Sequence, residues 1–158
     1  MTFCVGMKVR DGLVGIADTR VTSGVEYITA RKVTIHQYGH HSLFLMTSGL
    51  RSVRDKALTY FEEVLEAEDA SFHKLYNAVN AFAEQVRRVA LEDKPALAES
   101  GFDFNLYSIV GGQLEDDKEH KLYALSARQL GRGRAGDAVL SDRRVELREA
   151  AVGSRVVL

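Results

Sequence analysis

Apolar and polar residues alternate from the start of the chain. Phe3, Val5, Met7 and Val9 share one side of a two-residue period, which predicts a strand over residues 3–9. Asp11-Gly12 marks a tight turn, and LVGIA at 13–17 predicts the returning strand with Asp18 at its end. The polar stretch TRVTSGVEYIT reads as an irregular connection. RKVTIHQY and SLFLMTS predict a second strand pair about a Gly39-His40-His41 turn, closing at Gly49.

The period then lengthens. Val53, Ala57, Tyr60, Phe61, Val64 and Leu65 recur at three- and four-residue spacings, which predicts an amphipathic helix over 52–68. Ser52 with Asp55 resembles a capping box. Phe72, Leu75, Tyr76, Val79, Phe82, Ala83, Val86 and Val89 predict a second helix over 71–92, with Ser71 as its cap. Pro95 stops that helix or follows its end. Two adjacent amphipathic helices are suited to covering one face of a sheet. Strand character returns in DFNLYSIV at 103–110, before Gly111-Gly112, and in LYAL at 122–125.

The end of the chain departs from all of this. Six Arg, no Lys and no aromatic residue occur between Gly131 and Leu158, and only a weak helix around 141–150 is predicted. Such a Gly/Arg-rich end reads as a solvated tail. RNA binding is disfavoured, because no aromatic is interleaved to stack on bases. The organisation is therefore residues 1–127, carrying the patterned elements, and a divergent Gly/Arg-rich tail at 128–158.

Composition narrows the function classes. With 21 Lys+Arg against 22 Asp+Glu, the formal charge of -1 gives no reason to expect a nucleic acid or an acidic membrane as partner. At 46% hydrophobic residues, the 158-residue chain can build a real core. The single Cys excludes an internal disulfide and a cysteine-only metal cage, and fits a reducing, cytoplasmic setting. No apolar run is long enough to span a bilayer, and the start MTFCVGMKVR lacks the pattern of a secretory signal.

The amino terminus carries the candidate chemistry. Removal of Met1 would leave Thr2 first, with a hydroxyl nucleophile and an amine of pKa near 8 in one residue. The first hairpin brings Asp18 back toward Thr2. Lys32 opens the third strand, and a lysine there with an aspartate behind it would lower the pKa of nearby groups. The adjacent Arg31 leaves the register of that cation open. Gly49 allows close backbone approach, and its N–H could face a developing oxyanion.

At these positions the sequence resembles the proteasome-type amino-terminal threonine peptidases, nearest to their bacterial ancestral-beta-subunit (Anbu) branch. The similarity lies in TFCVGMKVRDGLVGIADTRVTSGVEYIT, RKVTIHQY, LMTSGL and YSIVGGQ, and covers roughly residues 2–127. It implies an α+β, Ntn-hydrolase-like αββα sandwich, present here in part, with antiparallel sheets and two helices on one face. It implies Thr2 as nucleophile, Asp18 and Lys32 as supporting pair, and Gly49 as oxyanion-hole glycine. Arg20 falls on a basic position after the aspartate, and Thr22 and Val33 fall near the substrate cleft. The implied activity is threonine-type endopeptidase, without cofactor or metal, on peptides or unfolded proteins. The implied assembly is a homo-oligomeric ring or helical stack. Family members run longer, so a truncated or frame-shifted product is expected. The alternative function is an inactive remnant or a structural assembly subunit.

Other residues carry plainer readings. Cys4 reads as a buried structural thiol. His36, His40 and His41 lack a third ligand in metal-binding spacing, and Gly111-Gly112 lacks the Lys-Ser/Thr of a phosphate loop. Phe61, Phe72, Tyr76 and Phe82 read as core or subunit contact, and the acidic run at 115–119 as a solvated loop.

Overall fold

The structure, a computed structural model, describes residues 3–23, 26–38, 41–68, 72–128 and 145–148. Among these, the strands are β1 (Phe3–Val9), β2 (Gly12–Ala17), β3 (Arg20–Ser23), β4 (Glu26–Thr29), β5 (Val33–Tyr38) and β6 (His41–Gly49), followed by helices α1 (Arg51–Glu68) and α2 (Leu75–Glu99). β7 (Asn105–Gln113), β8 (Lys121–Arg128) and β9 (Val145–Arg148) complete the order. All strand pairs are antiparallel, in sheets ordered β2-β1-β9, β3-β4 and β5-β6-β7-β8.

The four-stranded sheet is the central layer, because both of its faces are apolar. On one face, Leu43, Leu45, Leu106, Val110 and Leu125 pack with Val53, Ala57, Phe61 and Leu65 of α1 and Leu75, Val79, Phe82, Val86 and Val89 of α2. Phe61 and Phe82 meet edge to face, ring centroids 5.2 Å apart. On the other face, Met46, Tyr107, Ile109, Leu122 and Ala124 pack with Cys4, Leu13 and Ala17 of the first hairpin. The result is an α+β fold with two helices on one face of stacked antiparallel sheets, a partial αββα arrangement.

Several elements differ from the sequence-based expectation. The first turn comes one residue early: Val9 pairs with Gly12, so Arg10 and Asp11 form the turn. TRVTSGVEYIT is a hairpin rather than an irregular connection, with Arg20 opposite Thr29 and Ser23 opposite Glu26. Its β-branched Val21, Thr22, Ile28 and Thr29 favour extended backbone despite the polar composition. Gly111-Gly112 does not end its strand but lies inside β7. A side chain at Gly111 would meet the Phe44 ring, and one at Gly112 the Ser42–Leu43 backbone.

The helix ends also differ. α1 begins at Arg51, and Asp55 is taken by Arg51 (3.3 Å) and Arg54 (2.6 Å) rather than by a capping box. α2 runs through Pro95 to Glu99. Pro95 and Leu91 both face solvent, where water can take the Leu91 carbonyl that proline leaves without its helical donor. Ser71 lies outside the described residues; the start of α2 is capped instead from the acidic run. Asp117 is buried, and its Oδ2 accepts the N–H groups of Leu75 (2.8 Å) and Leu114 (3.1 Å). That carboxylate also complements the positive end of the helix dipole. Tyr76 is exposed, unlike Phe61, Phe72 and Phe82. Residues 145–148 form β9 rather than part of a weak helix and pair with β1, Phe3 opposite Arg148. Arg128 ends β8, and the other tail positions lie outside the described residues.

Candidate active site

The β1–β2 hairpin sets the first relationship. Cys4 lies opposite Ala17, so Phe3 and Asp18 face each other one step further out. The Asp18 N–H donates to the Phe3 carbonyl at 2.9 Å, and the Phe3 N–H donates to Asp18 Oδ1 at 2.9 Å. That Phe3 nitrogen belongs to the peptide bond joining Phe3 to residue 2. Thr2 itself lies outside the described residues.

Lys32 enters from the start of β5. Its Nζ donates to the same Asp18 oxygen at 2.8 Å and to the Arg20 carbonyl at 2.6 Å. Its own carbonyl accepts from the Thr47 N–H at 3.2 Å, which ties the residue to β6. Lys32 is buried while Arg31 is exposed, so Lys32 is the cation that reaches the aspartate. Burial works most strongly on Asp18, against its charged form. The Lys32 hydrogen bond, the Phe3 amide, the lysine charge and the Arg20 backbone together outweigh it, holding the carboxyl below its usual range.

Gly49 closes β6, the strand that Lys32 is tied to. It has φ +128°, a conformation open mainly to glycine. A Cβ there would also run into the Asn105 carbonyl oxygen. Backbone N–H groups alternate along a strand. Thr47 donates to Lys32 on one side and Leu50 to Asn105 on the other, which puts the Gly49 N–H on the Lys32 side of β6.

Asp18, Lys32 and the amide next to residue 2 are thus brought together, with Gly49 on the strand that Lys32 joins. Arg20 contributes its carbonyl, while its side chain is exposed. Val33 is half-buried against the core between the sheets. Thr22 lies in β3, its side chain outside what is described. Asn105 and the Arg20 carbonyl were not legible as parts of this corner: one comes from a distant strand and the other is backbone. Chemically, an ammonium fixed by Asp18 and the Arg20 carbonyl can bias a proton transfer at a group next to it. Among the described residues, no group of three or more His, Cys, Asp or Glu could hold a metal ion, and no helix is long and apolar enough to cross a membrane.

The sequence matches no protein-family model and no curated protein. Solved structures do match. The helical assembly of the Anbu complex from Pseudomonas aeruginosa aligns at TM-score 0.76 and 25% identity, over 93% of this chain and 61% of that one. An Anbu (Gly-1) mutant from Hyphomicrobium sp. strain MC1 aligns at TM-score 0.71 and 20% identity, over 95% of this chain and 61% of that one. Anbu, the ancestral beta-subunit, from Yersinia bercovieri aligns at TM-score 0.71 and 20% identity, over 93% of this chain and 60% of that one. This chain therefore spans about three fifths of the length of the structures it matches. In fold, and across most of its length, it is a structural homologue of Anbu, the ancestral proteasome beta-subunit.

Proposed function

We propose that the chain is a proteasome-type assembly subunit that associates with copies of itself. The observation that carries this reading is the outer face of the β1–β2 hairpin. Cys4 and Ala17 turn toward the central sheet, so Phe3, Val5, Met7 and Val9 turn away from it together with Val14 and Ile16. Phe3, Val9, Val14 and Ile16 are exposed, Ile16 at 52%. Val5 between them is buried and Met7 half-buried, so the exposed apolar surface is made by these four side chains, and exposed apolar surface is a mark of association. One matching structure is a helical assembly, which gives the reading its geometry. Solution mass tests it: oligomers are expected, and a monomer at all concentrations overturns it.

The Lys32–Asp18 pair favours a second reading, peptide-bond hydrolysis through Thr2. After loss of Met1, the Thr2 hydroxyl oxygen would attack the scissile carbonyl carbon. The terminal amine, aided by Lys32, would take the hydroxyl proton, and the Gly49 N–H would stabilise the oxyanion. Collapse would expel the amine half of the substrate with that proton, leaving an ester that water hydrolyses. Thr2→Ala is expected to abolish cleavage of fluorogenic peptides with folding intact. Retained Met1 in the intact mass, or undiminished cleavage by Thr2→Ala, would leave the assembly role alone. The substrates this reading implies are peptides or unfolded proteins.

A further inference from the structure

We infer that Asn105 is a positioning residue for the Gly49 N–H, an inference that rests on the peptide-hydrolysis reading. Asn105 opens β7, and Gly49 closes β6 opposite Leu106. The Leu50 N–H is held twice by Asn105: by its carbonyl at 3.2 Å and by its side-chain Oδ1 at 3.0 Å. The amide nitrogen of Asn105 donates to the Asp103 carbonyl at 3.4 Å, which sets the orientation of the amide.

The Leu50 nitrogen belongs to the peptide bond that leaves Gly49. Fixing it on the β7 side fixes the far end of a residue already at φ +128°. Glycine has the widest choice of backbone conformations, so the clamp matters more here than beside any other residue. An oxyanion donor helps only if it is oriented before charge develops. Asn105 touches neither Thr2 chemistry nor substrate in this scheme. It acts through the peptide it holds. Without Oδ1 the longer backbone bond remains, so the strand end persists while Gly49 gains freedom.

The test is acylation by a peptide β-lactone, followed by intact mass, in the full chain after Met1 removal. Wild type is expected to gain one acyl group at Thr2, absent from Thr2→Ala. Asn105→Ala should lower the maximal acylation rate roughly 10-fold, with the half-saturating lactone concentration unchanged. Asn105→Asp restores an oxygen acceptor for Leu50 and should recover most of that rate. Wild-type rates in Asn105→Ala overturn the inference and leave the hydrolysis reading standing. Absence of acylation in wild type overturns both. Should Asn105→Ala fail to fold, Asn105→Gln, whose oxygen sits one methylene further out, replaces it. Equal rates for Asn105→Gln and Asn105→Asp then overturn the inference.

Discussion

Lys32 Nζ stands 2.8 Å from Asp18 Oδ1, with the lysine side chain 2% exposed and the aspartate 31%. The asymmetry decides what the pair does. The lysine is almost wholly out of water, and the partners that hold its ammonium include Asp18 and the Arg20 carbonyl. The aspartate keeps some solvent and also holds the Phe3 amide. Removing the carboxylate is therefore the damaging change. Asp18→Ala is expected to cost about 1–3 kcal/mol, below the range for a fully buried pair because Asp18 is partly solvated. Chemical denaturation of the two proteins at pH 7 measures it, and equal midpoints would show that the pair contributes nothing.

The same pair sets an acid limit. The Asp18 carboxyl is held below its ordinary value in the folded chain. Its contribution is therefore fully present above the unfolded carboxylate pKa of about 4 and is lost as pH falls through the lower folded value. The difference in melting temperature between wild type and Asp18→Asn should be constant from pH 7 to about pH 5 and shrink below about pH 4. A difference that grows on acidification would reverse the sign of this account.

Asp117 makes a prediction of a different kind. It sits in the loop between β7 and β8, yet it caps α2 through Leu75 and closes its own turn through Leu114. Asp117→Ala leaves two amide donors without their acceptor and should destabilise the fold by about 2–4 kcal/mol. Asp117→Asn keeps one carbonyl oxygen and should lose less. Equal losses for the two variants would mean that charge, rather than the hydrogen bonds, is what matters.

Gly112 and Gly12 separate close packing from simple glycine content. A Cβ at Gly112 would meet the Ser42 carbonyl oxygen and the Leu43 backbone, which cannot swing aside, whereas nothing lies within 4 Å of one at Gly12. Gly112→Ala is expected to cost about 1–3 kcal/mol, and Gly12→Ala to stay within about 0.5 kcal/mol of wild type. Comparable urea midpoints for the two variants would contradict this packing.

Most of this fold was legible where apolar spacing is regular. The alternation at Phe3–Val9 and the helical stripes Val53–Leu65 and Phe72–Val89 predict elements that the structure contains, the second helix starting later, at Leu75. Asp18 and Lys32 were legible as candidates, because a hairpin returns the chain beside its own start. What was not legible depends on distant partners. Asp117 reads as one more charge in EDDKE, since its partner Leu75 is 42 residues away. Gly111-Gly112 reads as a terminator unless the Phe44 ring above it is known. Pro95 reads as a stop because the solvent exposure that lets a helix tolerate it is a tertiary property.

The proposed self-association runs through the apolar outer face of β1 and β2. Light scattering on the size-exclusion-purified chain, beside Ile16→Lys, measures it. Wild-type particles are expected at a multiple of the 17.5 kDa chain mass, with Ile16→Lys shifted toward the single chain. A wild type that stays at the mass of one chain at every concentration, with Ile16→Lys indistinguishable from it, would rule this association out.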